Sequence, residues 1–94
     1  MTKEHTKRVL NIYIKALKDL GYEPVNYKKF PEFSDGEARG RVVLNYALWM
    51  CEEAVGMVEK DMEKVQRWLG FAQGVLWSYG IFSIDEMRKH NTSK

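Results

Sequence analysis

The chain has 94 residues, of which 45% are hydrophobic and 30% charged, and its formal net charge is +2. This composition is typical of a single globular domain and excludes the disordered and fibrous classes of protein. A net charge of +2 is too small to indicate a nucleic-acid partner by itself. The single cysteine, Cys51, excludes an internal disulfide, so we expect a protein of the reducing cytoplasm.

Neither membrane insertion nor export is expected from the sequence. The uninterrupted apolar run 47–51 is far shorter than the roughly 20 residues that a bilayer-spanning helix needs. The N-terminal segment is charged and amphipathic, and it lacks the apolar core and cleavage site of a signal peptide.

The first predicted helix covers residues 3–20. Apolar side chains recur along one side of it at 3.6-residue spacing, and Gly21 follows at the position of a left-handed C-terminal cap. The next segment, residues 22–33, contains Pro24 and Pro31 and shows no helical period. It predicts an irregular connection whose aromatic rings pack against the helices.

The second predicted helix covers residues 35–58 and is apolar nearly all round. Ser34 and Glu37 have the spacing of a capping box at its start. Only a narrow polar stripe interrupts its apolar surface, formed by Asn45, Glu52, Gly56 and Glu59. Such a helix must be covered on several sides. It is therefore either the centre of the monomer's core or part of a subunit interface.

Glu53 is a charged residue within the apolar arc, the part of the second helix's circumference that apolar side chains occupy. It lies there beside Trp49 and Met57. A buried carboxylate needs a cationic partner, and Arg67 and Arg41 are the candidates. The expectation is a structural ion pair or a position at the edge of the arc.

A third helix is predicted over residues 61–79, after a tight turn at 59–61. One very long helix that runs through this turn is the alternative. Gly80 is the expected C-terminal cap of the third helix.

A short fourth helix is predicted over residues 84–90, followed by a frayed tail from Asn91. Ser83 and Glu86 form its capping box. The predicted fold class is therefore all-α, a single domain made of three main helices and a short C-terminal helix.

The third helix carries two glycines and two tryptophans within residues 67–77. Each interior glycine costs a helix about 1 kcal/mol relative to alanine, so we expect another backbone to approach closely here. Glycines four residues apart permit such packing, and Trp and Arg are common in binding hot spots. We expect the first or the fourth helix of the same chain, a second chain or a foreign partner to cover this face. The predicted partner-binding residues are Arg67, Gly70, Gln73, Gly74 and Trp77.

No catalytic or metal-binding motif is recognisable in the sequence. The acidic residues at positions 52–63 lack the Glu-x-x-Glu and Glu-x-x-Asp pairs with which all-helical pyrophosphohydrolases hold magnesium. His5 and His90 lie near opposite ends of the chain, and there is no glycine-rich phosphate loop, nucleophile elbow or metal-ligand spacing. We therefore predict a non-catalytic protein without a cofactor or a metal ion.

An alternative function is suggested by the interleaved basic and aromatic residues between positions 27 and 41. Aromatic rings can stack on nucleobases while cations neutralise phosphates, which predicts a nucleotide or nucleic-acid binding module. The structural interpretation is that the rings pack on the core and the lysines remain solvated. The residues concerned are Tyr27, Lys28, Lys29, Phe30, Arg39 and Arg41.

The pattern RWLGFxQGxLWxxGxxSIDE runs from Arg67 to Glu86 and is followed by His90 and Asn91. Over residues 50–91 the chain resembles a family of small uncharacterised proteins encoded by tailed bacteriophages and prophages. The resemblance implies a setting in the cytoplasm of an infected bacterium and assigns no residue a role. Because small phage accessory proteins usually act by binding, it favours host takeover or evasion of host defence over metabolism.

These observations together predict a non-catalytic interaction protein that binds a host protein. We also expect a homo-oligomer, formed through the glycine-bearing face of the third helix or through surplus apolar surface on the second.

Overall fold

The computed structural model describes residues 2–29, 32 and 36–92, and these residues form four helices and no strand. The helices are α1 (Lys3–Asp19), α2 (Gly36–Met57), α3 (Met62–Ser78) and α4 (Ile84–Thr92). The predicted all-α bundle with a short C-terminal helix is confirmed. Each observed helix end lies within two residues of the predicted one, and α4 includes the first two positions of the expected frayed tail. In the described part of the chain, no helix is long and apolar enough to cross a membrane.

Left-handed glycines end α1 and α3, as the sequence predicts. The φ angle is 93° at Gly21 and 72° at Gly80, a region that side chains with a β-carbon rarely adopt. After Gly21, the Tyr22 N–H donates to the Leu17 carbonyl over 3.0 Å, and the corresponding bond after Gly80 is 2.8 Å long. This hydrogen bond defines the Schellman motif.

The chain turns between α2 and α3, so the alternative of one very long helix is wrong. The Asp61 N–H donates to the Met57 carbonyl over 2.8 Å, and the Asp61 carboxylate then accepts from the Lys64 N–H at 3.1 Å. This side chain satisfies one of the free N–H groups at the start of α3.

A reciprocal capping box starts α4. The Ser83 hydroxyl accepts from the Glu86 N–H at 3.1 Å, and the Glu86 carboxylate accepts from the Ser83 N–H at 2.9 Å. These bonds hold the pKa of the Glu86 carboxyl below its usual value. The other predicted capping box, at Ser34, lies outside the described residues.

The central element is α2, which packs against α1 and α3. Every apolar side chain on it is buried or half-buried, so it is the centre of the monomer's core, and the expected surplus of exposed apolar surface does not lie on it.

Cys51 is 1% exposed, and burial raises the pKa of its thiol to about 12. Glu53 is exposed, at the edge of the apolar arc. The largest fully buried side chains include Leu10, Tyr13, Leu17, Leu44, Leu48, Leu69 and Leu76.

Half-buried aromatic rings close the outer side of the seam between α2 and α3. The Tyr46 and Trp49 rings stack with centroids 5.6 Å apart, and the Trp49 and Trp68 centroids are 5.9 Å apart. The Lys64 ammonium lies 5.0 Å from the Trp68 centroid, where a cation interacts favourably with the ring face.

Asn45 ties the irregular connection to α2. Its side-chain oxygen accepts from the Glu23 N–H at 3.0 Å, its amide nitrogen donates to the Tyr27 hydroxyl at 3.3 Å, and its carbonyl accepts from the Val25 N–H at 3.3 Å. Asn45, predicted to lie on a polar stripe, is therefore a buried anchor.

We expect Asn45→Ala to lower the free energy of unfolding by about 1–3 kcal/mol, because the Glu23 N–H and the Tyr27 hydroxyl each lose their hydrogen bond to the Asn45 side chain. Urea denaturation measures the change. Asn11→Ala, at an exposed position of α1, is the matched control and should stay within about 0.5 kcal/mol of the unsubstituted chain. Equal effects of the two substitutions would contradict the role assigned to Asn45.

Candidate functional site

One face of α3 is exposed along most of the helix. Phe71 is 51% and Trp77 is 53% exposed, although large apolar side chains are usually buried. Four of the five predicted partner-binding residues lie here. We define the outer face of α3 as Arg67, Gly70, Phe71, Gly74, Trp77 and Ser78.

The two glycines of the outer face have no neighbour from another part of the described chain. A β-carbon built at Gly70 or Gly74 meets no heavy atom within 4 Å among the described residues, apart from its own helix. The interpretation that α1 or α4 of the same chain covers this face is therefore wrong. The cost of the glycines, about 1 kcal/mol each, is not offset by packing against any other described part of the chain.

A shallow groove runs along the outer face. Besides Gly70, Gly74 and Ser78 it is lined by Phe71, Val75, Trp77 and Tyr79. Small residues flanked by large rings allow close approach of a second helix while the rings supply apolar contact area.

Arg67 precedes Gly70, the first residue that lines the groove, by three positions in α3. Its guanidinium is 3.2 Å from the Glu63 carboxylate one turn earlier, and the Arg67 side chain is 64% exposed. An exposed pair of this kind contributes only a few tenths of a kcal/mol. The guanidinium can therefore turn towards another acceptor or an aromatic ring at little cost.

Phe71 was missed by sequence reasoning. It follows Arg67 by four residues and precedes Gly74 by three, so helical periodicity places it on the same side as both. This spacing is the signal in the sequence that could have identified Phe71 as part of the outer face.

Gln73 is not on the outer face, contrary to the sequence prediction. Its amide nitrogen donates to the Tyr13 hydroxyl at 2.9 Å and to the Asn91 side-chain oxygen at 2.7 Å. These two bonds use both of its amide hydrogens. Gln73 therefore belongs to the contact between α1, α3 and α4.

A polar junction joins α1, α3 and α4 around Tyr13. Its hydroxyl lies 3.3 Å from His90 Nδ1, and the Tyr13 and His90 ring centroids are 5.5 Å apart. His5 Nε2 also bonds the His90 carbonyl. Burial raises the pKa of Tyr13, and every buried side-chain polar atom of the described residues has a partner. The junction is therefore typical of a structural network, in which buried polar groups are paired by hydrogen bonds.

The alternative site at positions 27–41 is engaged within the chain at two of its residues, Tyr27 and Arg41. The Tyr27 hydroxyl accepts from Asn45, and the Arg41 guanidinium lies 5.4 Å from the Tyr22 ring centroid. Lys28, Lys29 and Arg39 are exposed, and Phe30 lies outside the described residues. This arrangement is the one expected if the segment has a structural role, with the Tyr27 ring held in place and the lysines in solvent.

In the described residues, no three histidine, cysteine or acidic side chains converge on a point where they could hold a metal ion. Comparison of the chain with protein-family models, with curated proteins and with solved structures finds no match.

Proposed function

We propose that this chain is a non-catalytic interaction protein and that the outer face of α3 binds a helix of another protein. The observation that carries the proposal is the pair of half-exposed rings, Phe71 and Trp77, beside two glycines whose β-carbon positions meet no other described part of the chain. The resemblance of residues 50–91 to phage-encoded proteins supports a host protein as the partner.

The energetics of the outer face favour a helix as the bound element. Complete burial of an aromatic side chain contributes about 1.5–3 kcal/mol, and each of these rings has about half of its surface still exposed. A helix that lies in the groove covers both rings and reaches the backbone at the glycines. Recognition of an amphipathic helix in an apolar groove is a common mode of protein binding.

Affinity purification tests the proposal. From bacterial cells that express the tagged chain, we expect one host protein in stoichiometric amount, and Trp77→Ala should reduce its recovery at least tenfold. The expected loss matches removal of a hot-spot tryptophan. Leu20→Ala is the matched control, because Leu20 is a 59% exposed apolar residue outside the outer face.

Recovery of the tagged chain alone, or a captured protein whose yield is the same with Trp77→Ala, would contradict the proposal. A salt-dependent nucleic-acid signal that disappears with Lys28→Ala and Lys29→Ala would favour the alternative function instead.

A further inference from the structure

We propose that in the free protein a second copy of this chain covers the outer face of α3, with the two α3 helices antiparallel. The inference rests on the proposed role of this face as a contact surface and names what covers it when no host protein is bound.

Four of the six residues of the outer face are spaced symmetrically about position 72. Gly70 and Gly74 lie two residues to either side of it, and Arg67 and Trp77 lie five residues to either side. At 1.5 Å per residue, Arg67 and Trp77 are each about 7.5 Å along the helix from this point. A two-fold axis at position 72 therefore sets Gly70 at the height of the partner's Gly74, and Arg67 at the height of the partner's Trp77.

Charge complementarity selects the antiparallel arrangement. A guanidinium over an indole ring is among the most favourable cation–π pairs, and two-fold symmetry makes the contact twice. Both groups are accessible, because the Arg67 side chain is 64% and Trp77 is 53% exposed. A parallel pair in register would instead set Arg67 beside the partner's Arg67, and like charges repel.

The glycines lie at the centre of this contact. With Gly70 and Gly74 facing their counterparts, the two backbones approach closely between the aromatic rings. The second copy thus supplies the close neighbour that the described part of the monomer lacks at both positions.

The dimer is expected to be weak. With 17 residues, α3 is about 26 Å long, and contact along one of its faces covers less than the roughly 800 Å² per partner of a standard interface. Self-association and binding of a host helix use the same surface, so they exclude each other.

Sedimentation velocity over a range from about 1 µM to about 1 mM tests the dimer. We expect a concentration-dependent shift from a monomer of 11.1 kDa towards twice that mass. Trp77→Ala and Arg67→Ala should each weaken dimerisation about tenfold, and the double variant should be no weaker than the more affected single one. Gly74→Leu should abolish the dimer and keep the helical circular dichroism, and Leu20→Ala should leave the dimer unchanged.

Cysteine cross-linking tests the orientation. Gly70→Cys and Gly74→Cys place thiols in open space in the monomer, and a disulfide requires α-carbons about 4.4–6.8 Å apart. An antiparallel pair predicts faster cross-linking in a mixture of the two variants than in either variant alone. A parallel pair predicts the reverse. The buried Cys51 should not react, and the unsubstituted chain provides that control.

A wild-type chain that stays monomeric at all concentrations would overturn the inference, and Trp77-dependent capture of a host protein would then leave the proposed function standing. The inference also fails if the dimer is insensitive to Trp77→Ala, or if either variant alone cross-links faster than the mixture.

Discussion

Tyr13→Ala is expected to lower the free energy of unfolding by about 3–5 kcal/mol, as truncation of a buried aromatic ring usually does. The Tyr13 side chain is fully buried in the core, where its ring lies 5.3 Å from the Phe82 ring and its hydroxyl accepts from Gln73. Small domains are typically stable by about 5–15 kcal/mol, so this single change removes a large share of the total. Thermal and urea denaturation measure it.

Tyr13→Phe separates the packing of the ring from the hydrogen bonds of its hydroxyl. It keeps the ring and should cost only about 1 kcal/mol, because Gln73 still donates to Asn91. Since Tyr13 contacts Gln73 and not the outer face of α3, Tyr13→Phe should bind partners as the unsubstituted chain does. A cost as large as that of Tyr13→Ala would show that the hydrogen bonds dominate.

Alkaline pH is expected to destabilise the protein through Cys51. Its thiol has a pKa of about 12 in the folded chain against an ordinary value of 9.0, because burial disfavours the thiolate. Between these values the unfolded chain loses the thiol proton and the folded chain keeps it. The free energy of unfolding therefore falls by up to about 1.4 kcal/mol per pH unit between pH 9 and about pH 12, and well below pH 9 the thiol contributes no pH dependence.

Cys51→Ala is the variant that isolates this effect. We expect it to be less stable at neutral pH by about 1 kcal/mol, because a small cavity replaces the sulfur. Its stability should then fall less steeply between pH 9 and pH 11 in urea titrations. The raised pKa of Tyr13 acts in the same direction and remains in both proteins. Equal slopes for the two proteins would contradict the role of the thiol.

The ends of the helices were predictable because their signals are local. Gly21 and Gly80 adopt the expected left-handed conformation, and Ser83 forms the expected capping box with Glu86. Leu20 shows where the periodic pattern fails. It continues the apolar spacing of α1, but it is the C-cap residue that follows the last helical residue, Asp19, and it is 59% exposed.

Contacts between distant parts of the chain were not predictable. Gln73 was assigned to the exposed face because it lies beside Trp77 on a helical wheel. Its actual partners belong to α1 and α4, and their approach depends on how these helices dock. For the two glycines of α3, the sequence was ambiguous about which chain supplies the neighbour. The sequence indicated a close neighbour at Gly70 and Gly74, but it carries no signal that separates a neighbour in the same chain from one in another chain.

The junction around Tyr13 also bears on the order of events in folding. Its hydrogen bonds join residues 60, 77 and 85 positions apart in the sequence, so each of the loops that they close spans well over half of the chain. Closing such loops carries an entropic cost that is recovered only after α1 and α3 have packed on α2. We therefore expect the C-terminal helix to dock last and to detach first, so that its amide protons exchange with solvent through partial openings that leave the other three helices intact.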